Sequence, residues 1–121
     1  MTIINPADET EAKKAVRAAL EIDGPVYMRF GRLAVPRIFD ENYKFEIGKA
    51  VTLKEGTDVT VIATGLLVAE AVEAAKILES EGISVNLINM ATIKPLDKEA
   101  VIAAAKKTGC IVTAEEHNII G

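Results

Sequence analysis

Asp58-Val59-Thr60-Val61-Ile62-Ala63-Thr64-Gly65 is an unbroken apolar and β-branched run closed by a glycine. The period changes immediately behind it. From Leu66 to Glu81, Val68, Val72, Ala75 and Leu78 fall on one helical face, while Glu70, Glu73 and Lys76 fall on another. Gly82 ends that pattern, and Ser84 to Met90 returns to a strand-like run. A strand, a helix of this length and a second strand predict a right-handed crossover between parallel strands, and therefore an α/β fold.

The logic repeats downstream. Lys94-Pro95-Leu96-Asp97 sets a second helix, with Asp97 as its N-cap and Leu96 placed to staple onto Val101. Lys106, Lys107 and Gly109 close it with the charges and the turn residue that a helix C-terminus favours. Cys110 to Ala114 then reads as a buried strand carrying Glu115-Glu116-His117 to its C-terminal end. Asn118-Ile119-Ile120-Gly121 follows, a glycine turn of the kind that opens another helix, so the chain reads as a piece of something larger. On the near side of Asp58, Lys49 to Leu53 suggests a short strand and Glu55-Gly56 a turn.

A smaller strand-helix-strand unit comes first. Thr2 to Asn5 is a short strand, broken by Pro6-Ala7. Asp8 is a good N-cap, and Glu11 three residues later completes a capping box. Ala12, Val16, Ala19 and Leu20 form the expected apolar face, with Lys13, Lys14 and Arg17 opposite. Asp23-Gly24-Pro25 stops the helix, and Val26 to Phe30 is the next strand. Gly31 to Ile47 is irregular and marks the domain boundary, a linker whose Phe39, Tyr43 and Phe45 are expected to pin it to a surface.

Half of the 121 residues are hydrophobic but only 4% are aromatic, so Ala, Val and Ile carry the core, as suits helices packed on a buried parallel sheet. The net charge of −4 is spread without a basic block, which argues against nucleic acid, and no Lys/Arg-rich amphipathic helix argues for a membrane surface. No signal peptide is visible, and no apolar run reaches the ~20 residues of a membrane span. Cys110, the single cysteine, cannot form a disulfide within the chain; it is expected as a small core residue in a cytoplasmic protein.

Ligands of open α/β sheets sit beyond the carboxyl ends of the strands. Thr64-Gly65 there precedes a helix N-terminus, yet no phosphate-loop motif accompanies it, and a tight strand-to-helix turn is the simpler reading. Glu115, Glu116 and His117 are adjacent on a strand and point to alternate faces, so they do not converge on one ion; one glutamate is expected to meet a helix N-terminus or a cation. Arg29 and Arg32, in Arg29-Phe30-Gly31-Arg32, offer two guanidiniums suited to phosphate or carboxylate, either as a binding site or as structural ion-pair partners.

Seven ordered segments together resemble the C-terminal portion of the transketolase and deoxyxylulose-phosphate synthase superfamily, with transketolase preferred. They are Asn5-Pro6-Ala7-Asp8 with Glu11; Gly24-Pro25-Val26-Tyr27-Met28-Arg29 running to Arg32; Gly48-Lys49-Ala50; Glu55-Gly56-Thr57-Asp58-Val59-Thr60; Ala63-Thr64-Gly65; Thr92-Ile93-Lys94-Pro95-Leu96-Asp97; and Glu115-Glu116-His117. The resemblance implies a three-layer, mostly parallel sheet in a Rossmann-like C-terminal domain over residues 41–121, incomplete at its end. Residues 1–40 would be the remnant of a pyrimidine-binding domain.

It also implies that Arg32 contacts the substrate's phosphate, with Arg29 as a second substrate-binding candidate, and that the complete enzyme uses thiamine diphosphate and Mg²⁺. The family's G-D-G motif with its later asparagine, its ylid-forming glutamate and its channel histidines have no counterpart here. The chain alone is therefore expected to bind no cofactor, carry no catalytic residue and be inactive. Its expected partner is the remaining N-terminal portion of a transketolase, or a second copy of itself in a homo-oligomer. Because Met1 would fall inside the pyrimidine domain, a truncated reading frame or an excised piece of a longer chain is expected rather than a natural subunit. The rival readings are a non-catalytic dimerisation or regulator-binding module and a small nucleotide-binding protein using Thr64-Gly65.

Overall fold

The computed structural model describes residues 1–117. Ten elements follow in order: β1 (Thr2–Ile4), α1 (Glu9–Ala19), β2 (Val26–Met28), β3 (Val51–Lys54), β4 (Val59–Ala63), α2 (Leu67–Ser80), β5 (Val85–Asn89), β6 (Thr92–Lys94), α3 (Lys98–Thr108) and β7 (Ile111–Ala114). The reading of Asn118 to Gly121 as a helix-opening turn lies outside the described residues.

The larger sheet has the order β3-β5-β4-β7. β4 runs parallel to β5 and to β7, and β3 lies antiparallel on the far edge of β5. Alternation along the two central strands assigns the helices to opposite faces. Val59, Val61 and Ala63 of β4, with Val85 and Leu87 of β5, pack against Val68, Ala71 and Ala75 of α2. Ile62 and Ile88, one residue out of phase, pack with Met90 against Ala104 and Val101 of α3. The three-layer, mostly parallel arrangement is therefore present. The ends of α3 are those its sequence requires: Asp97 Oδ1 caps Ala100 N–H at 3.0 Å, and Gly109 closes the helix in the left-handed conformation.

The second sheet has the order β2-β1-β6. β1 and β2 are parallel, but β6 is antiparallel to β1 and comes from the far end of the chain. After Met90 and Ala91 the chain leaves the larger sheet and joins the smaller one, where Ala91 C=O accepts from Asn5 N–H at 2.7 Å. The sequence reading missed β6, which has only three residues and abuts a buried strand.

Three further expectations are corrected. On α1, the stripe of Ala12, Val16, Ala19 and Leu20 does not face the core: Val16 is 44% and Leu20 81% exposed, and Thr10, Glu11 and Ala15 are buried instead. The hydrogen-bond partners of Glu11 draw the polar edge of this helix inward. Cys110 is exposed rather than packed, because the strand it leads into is the edge of its sheet, and Val112 of β7 is likewise 49% exposed. The short strand placed at Lys49 to Leu53 lies at Val51–Lys54.

Candidate functional site

The carboxyl ends of β1, β2, β4 and β7 meet along the seam between the two sheets, and polar side chains fill it. Asn5, just past β1, is 5% exposed. Its amide oxygen accepts from Arg29 Nη2 at 2.6 Å and from Thr64 Oγ1 at 3.1 Å, and its nitrogen donates to Arg29 C=O at 3.2 Å. Arg29 Nη2 also donates to both carboxylate oxygens of Glu115, at 2.7 and 2.8 Å. Burial alone pushes the Glu115 carboxyl up, but the Arg29 guanidinium and the His117 and Glu116 N–H groups outweigh it and hold it below the ordinary 4.5. Glu115 thus meets a positive partner, one of the two outcomes its position allowed.

This seam explains Thr64-Gly65. Gly65 has φ +59°, and a Cβ there would come within 2.5 Å of the Asn5 amide. The glycine is required because Asn5 occupies the space above the turn. Glu116 and His117 do not join the seam: their side chains are 38% and 52% exposed, and His117 Nε2 stands 4.0 Å from Glu116 Oε2.

A second polar cluster begins at the α1 N-terminus. Asp8 Oδ1 accepts from Glu11 N–H at 2.8 Å, the helix cap anticipated from the sequence. The reciprocal bond is displaced by one residue, since Glu11 Oε2 accepts from Ala7 N–H at 2.7 Å rather than from Asp8. Glu11 Oε1 accepts from Tyr43 Oη at 2.6 Å and from Asn89 Nδ2 at 2.8 Å. Burial pushes the Glu11 carboxyl above 4.5, against the pull of its three donors, and the tyrosine hydroxyl is in turn pushed far up by burial and by Glu11. Asp8 Oδ2 accepts from Ile38 and Phe39 N–H at 2.7 and 2.8 Å. Phe39 is buried in the core with Val68 and Leu87, and Tyr43 stacks on it with centroids 3.9 Å apart, so these two aromatics do pin the linker.

Between the two clusters lies the segment bearing Arg32. Residues 31–34 are exposed. A cavity of 170 Å³ opens between this loop, the first turn of α1 and Leu66, with Phe30, Leu33 and Val35 among its walls. The structure therefore separates the two arginines: Arg29 is engaged by Glu115 and Asn5, and Arg32 is presented to solvent. Sequence reasoning gave Asn5 and Asn89 no hydrogen-bonding role, and took Tyr43 only as an aromatic anchor of the linker. The signal available was an amide residue at the end of an apolar strand, a position that demands a polar partner.

Among the described residues no group of three or more His, Cys, Asp or Glu side chains stands together to hold a metal ion. No described helix is long and apolar enough to cross a membrane.

A family model described as transketolase, C-terminal domain, matches residues 48–121. The chain is 47% identical over 121 residues to the 6-deoxy-6-sulfo-D-fructose transketolase subunit of Clostridium sp. (strain MSTE9), covering 100% of this chain and 38% of that protein. It is 42% identical over 122 residues to an apulose-4-phosphate transketolase subunit of Phocaeicola vulgatus, covering 100% of this chain and 39% of that one. A solved structure described as split gene transketolase, inactive beta4 tetramer, superposes with a TM-score of 0.97 at 48% identity, over 100% of this chain and 40% of its own. The chain thus spans about two-fifths of the length of these relatives.

Proposed function

The chain belongs to the transketolase family through its C-terminal domain, and on that premise we propose that it is the C-terminal section of a transferase moving two-carbon ketol units between sugar phosphates. The complete enzyme would hold thiamine diphosphate with Mg²⁺ in its remaining portion, and that group would supply the electron sink such a transfer needs. This section supplies scaffold and one substrate contact. Arg32 is that contact: a guanidinium carried on an exposed loop at a strand's carboxyl end presents the planar donor fork that phosphate takes up. Arg29, the other candidate, keeps Glu115 as its partner and holds the strand from which the Arg32 loop departs. The observation that carries this reading is the division between an engaged and an exposed arginine three residues apart.

By itself the section is inactive. Titration calorimetry of the purified chain with thiamine diphosphate and Mg²⁺ tests this, and no saturable heat is the expected result. Saturable binding would overturn the assignment of the cofactor to other sequence. The single cysteine, exposed and without a disulfide, favours the cytoplasm as its location.

A second reading, a self-associating non-catalytic module, draws on the exposed Val16 and Leu20 of α1 and on the tetramer described for the similar split transketolase. Sedimentation velocity across a concentration series tests this second reading. A monomer at every concentration removes the second reading.

A further inference from the structure

We propose that Asp8 is a positioning residue for Arg32, an inference that rests on the reading of Arg32 as a phosphate contact. An N-cap needs one side-chain oxygen, and Asp8 Oδ1 serves that purpose on Glu11 N–H. Its second oxygen is committed elsewhere. Oδ2 accepts from two consecutive N–H groups, those of Ile38 and Phe39, 30 and 31 residues away. Asp8 is 4% exposed, so both bonds form out of water and are of the stronger, charge-assisted kind.

These bonds close the loop that carries Arg32. At its near end, Arg29 N–H donates to Ile4 C=O at 2.9 Å. Gly31 then lies so close to Leu66 that a Cβ would meet its Cδ2 at 2.9 Å. At its far end the chain is caught by Asp8. Among the described residues, the backbone between these points, residues 30–37, makes no hydrogen bond of its own. Packing does not support it from below either, because the 170 Å³ cavity lies beneath, between Phe30, Leu33, Val35, Leu66 and the α1 turn. A loop with neither internal bonds nor a filled underside is held by its ends. At the far end Phe39 packs into the core, and Asp8 fixes the backbone just before it, so that Asp8 limits the arc through which the Arg32 guanidinium can swing.

The consequence is selective. Releasing the far end lowers the fraction of loop conformers that present Arg32 to a phosphate, but leaves contacts to the rest of a sugar untouched. Asp8→Asn makes the separation cleanly. Asparagine caps a helix as well as aspartate does, so the α1 cap survives. The second acceptor oxygen becomes an NH₂ group facing two N–H donors, so the clamp does not.

The experiment compares KM for fructose 6-phosphate with KM for fructose in the complete enzyme containing this chain, unsubstituted, with D8N and with R32Q. The phosphorylated-to-unphosphorylated KM ratio is expected to rise about tenfold in D8N, the scale of one hydrogen bond to a charged group, and further in R32Q. A parallel change for both sugars in D8N, with a selective change in R32Q, leaves the phosphate reading standing and overturns the positioning role. No selectivity in R32Q overturns the phosphate reading itself. Should D8N not fold, amide hydrogen exchange on the unsubstituted protein decides. Ile38 and Phe39 are expected to be protected although they lie in neither helix nor strand, and exchange at free-chain rates overturns the clamp.

Discussion

Arg29 Nη2, beyond the end of β2, lies 2.7 and 2.8 Å from the two carboxylate oxygens of Glu115, beyond the end of β7 and 86 residues later in the chain. This pair ties the smaller sheet to the edge strand of the larger one. Both side chains are mostly buried, at 22% and 13% exposure, so the pair is more than a solvated surface bridge. Removing one partner leaves the other charge under-satisfied, and Glu115→Ala is expected to cost about 1–3 kcal/mol in urea unfolding at neutral pH. The folded carboxyl titrates below 4.5, so its contribution is fully present above that value and is lost as pH falls through the lower, folded one. Glu115→Gln should flatten this acid-side slope. An unchanged slope in that variant would sink the assignment.

Glu11 carries the opposite sign. Burial raises its folded value above the ordinary 4.5, so the folded protein binds that proton more tightly than the unfolded chain. The resulting stabilisation is fully present below 4.5 and is lost as pH rises through the folded value. Tyr43→Phe removes a donor that lowers the Glu11 value. It should move the upper limit of that window further up and cost about 1–2 kcal/mol as well. Stability measured against pH in the two proteins checks both effects. A Tyr43→Phe curve that merely runs parallel to the parent would show that the hydroxyl does not act through Glu11.

The parts of this fold legible in the sequence are those where one period governs a whole element. β4, α2 and β5 each bury a complete face, so alternation and helical spacing give them away. The illegible parts are those where a distant partner overrides the local pattern. A helical wheel assigns Val16 and Leu20 to the core of α1, yet Ala7, Tyr43 and Asn89 gather around Glu11 and turn that edge inward. β6 exists because β1, at the other end of the chain, offers it an edge. Of the two arginines, nothing local says which is engaged. The answer depends on Glu115 and Asn5, which reach Arg29 and leave Arg32 exposed.

Glycines in this chain are required for two different physical reasons, and substitution separates them. Gly82 has φ +85° with nothing within 4 Å of an added Cβ, so Gly82→Ala meets only the left-handed backbone cost of about 1 kcal/mol. Gly56 has no left-handed backbone. A Cβ there would fall 2.2 Å from the Val85 carbonyl carbon and 2.5 Å from Asn86 N, both backbone atoms at the start of a central strand. No rotamer relieves that contact, so β5 itself must shift, and Gly56→Ala is expected to cost about 3 kcal/mol or more. Gly65 combines both effects, with φ +59° and the Asn5 amide 2.5 Å from an added Cβ, but the amide is a side chain and yields more readily than a strand. The expected order of destabilisation is Gly56→Ala, then Gly65→Ala, then Gly82→Ala, read as urea midpoints at constant m-value. If Gly82→Ala proved as damaging as Gly56→Ala, conformation rather than space would be the reason for both, and the close approach of Gly56 to β5 would have to be abandoned.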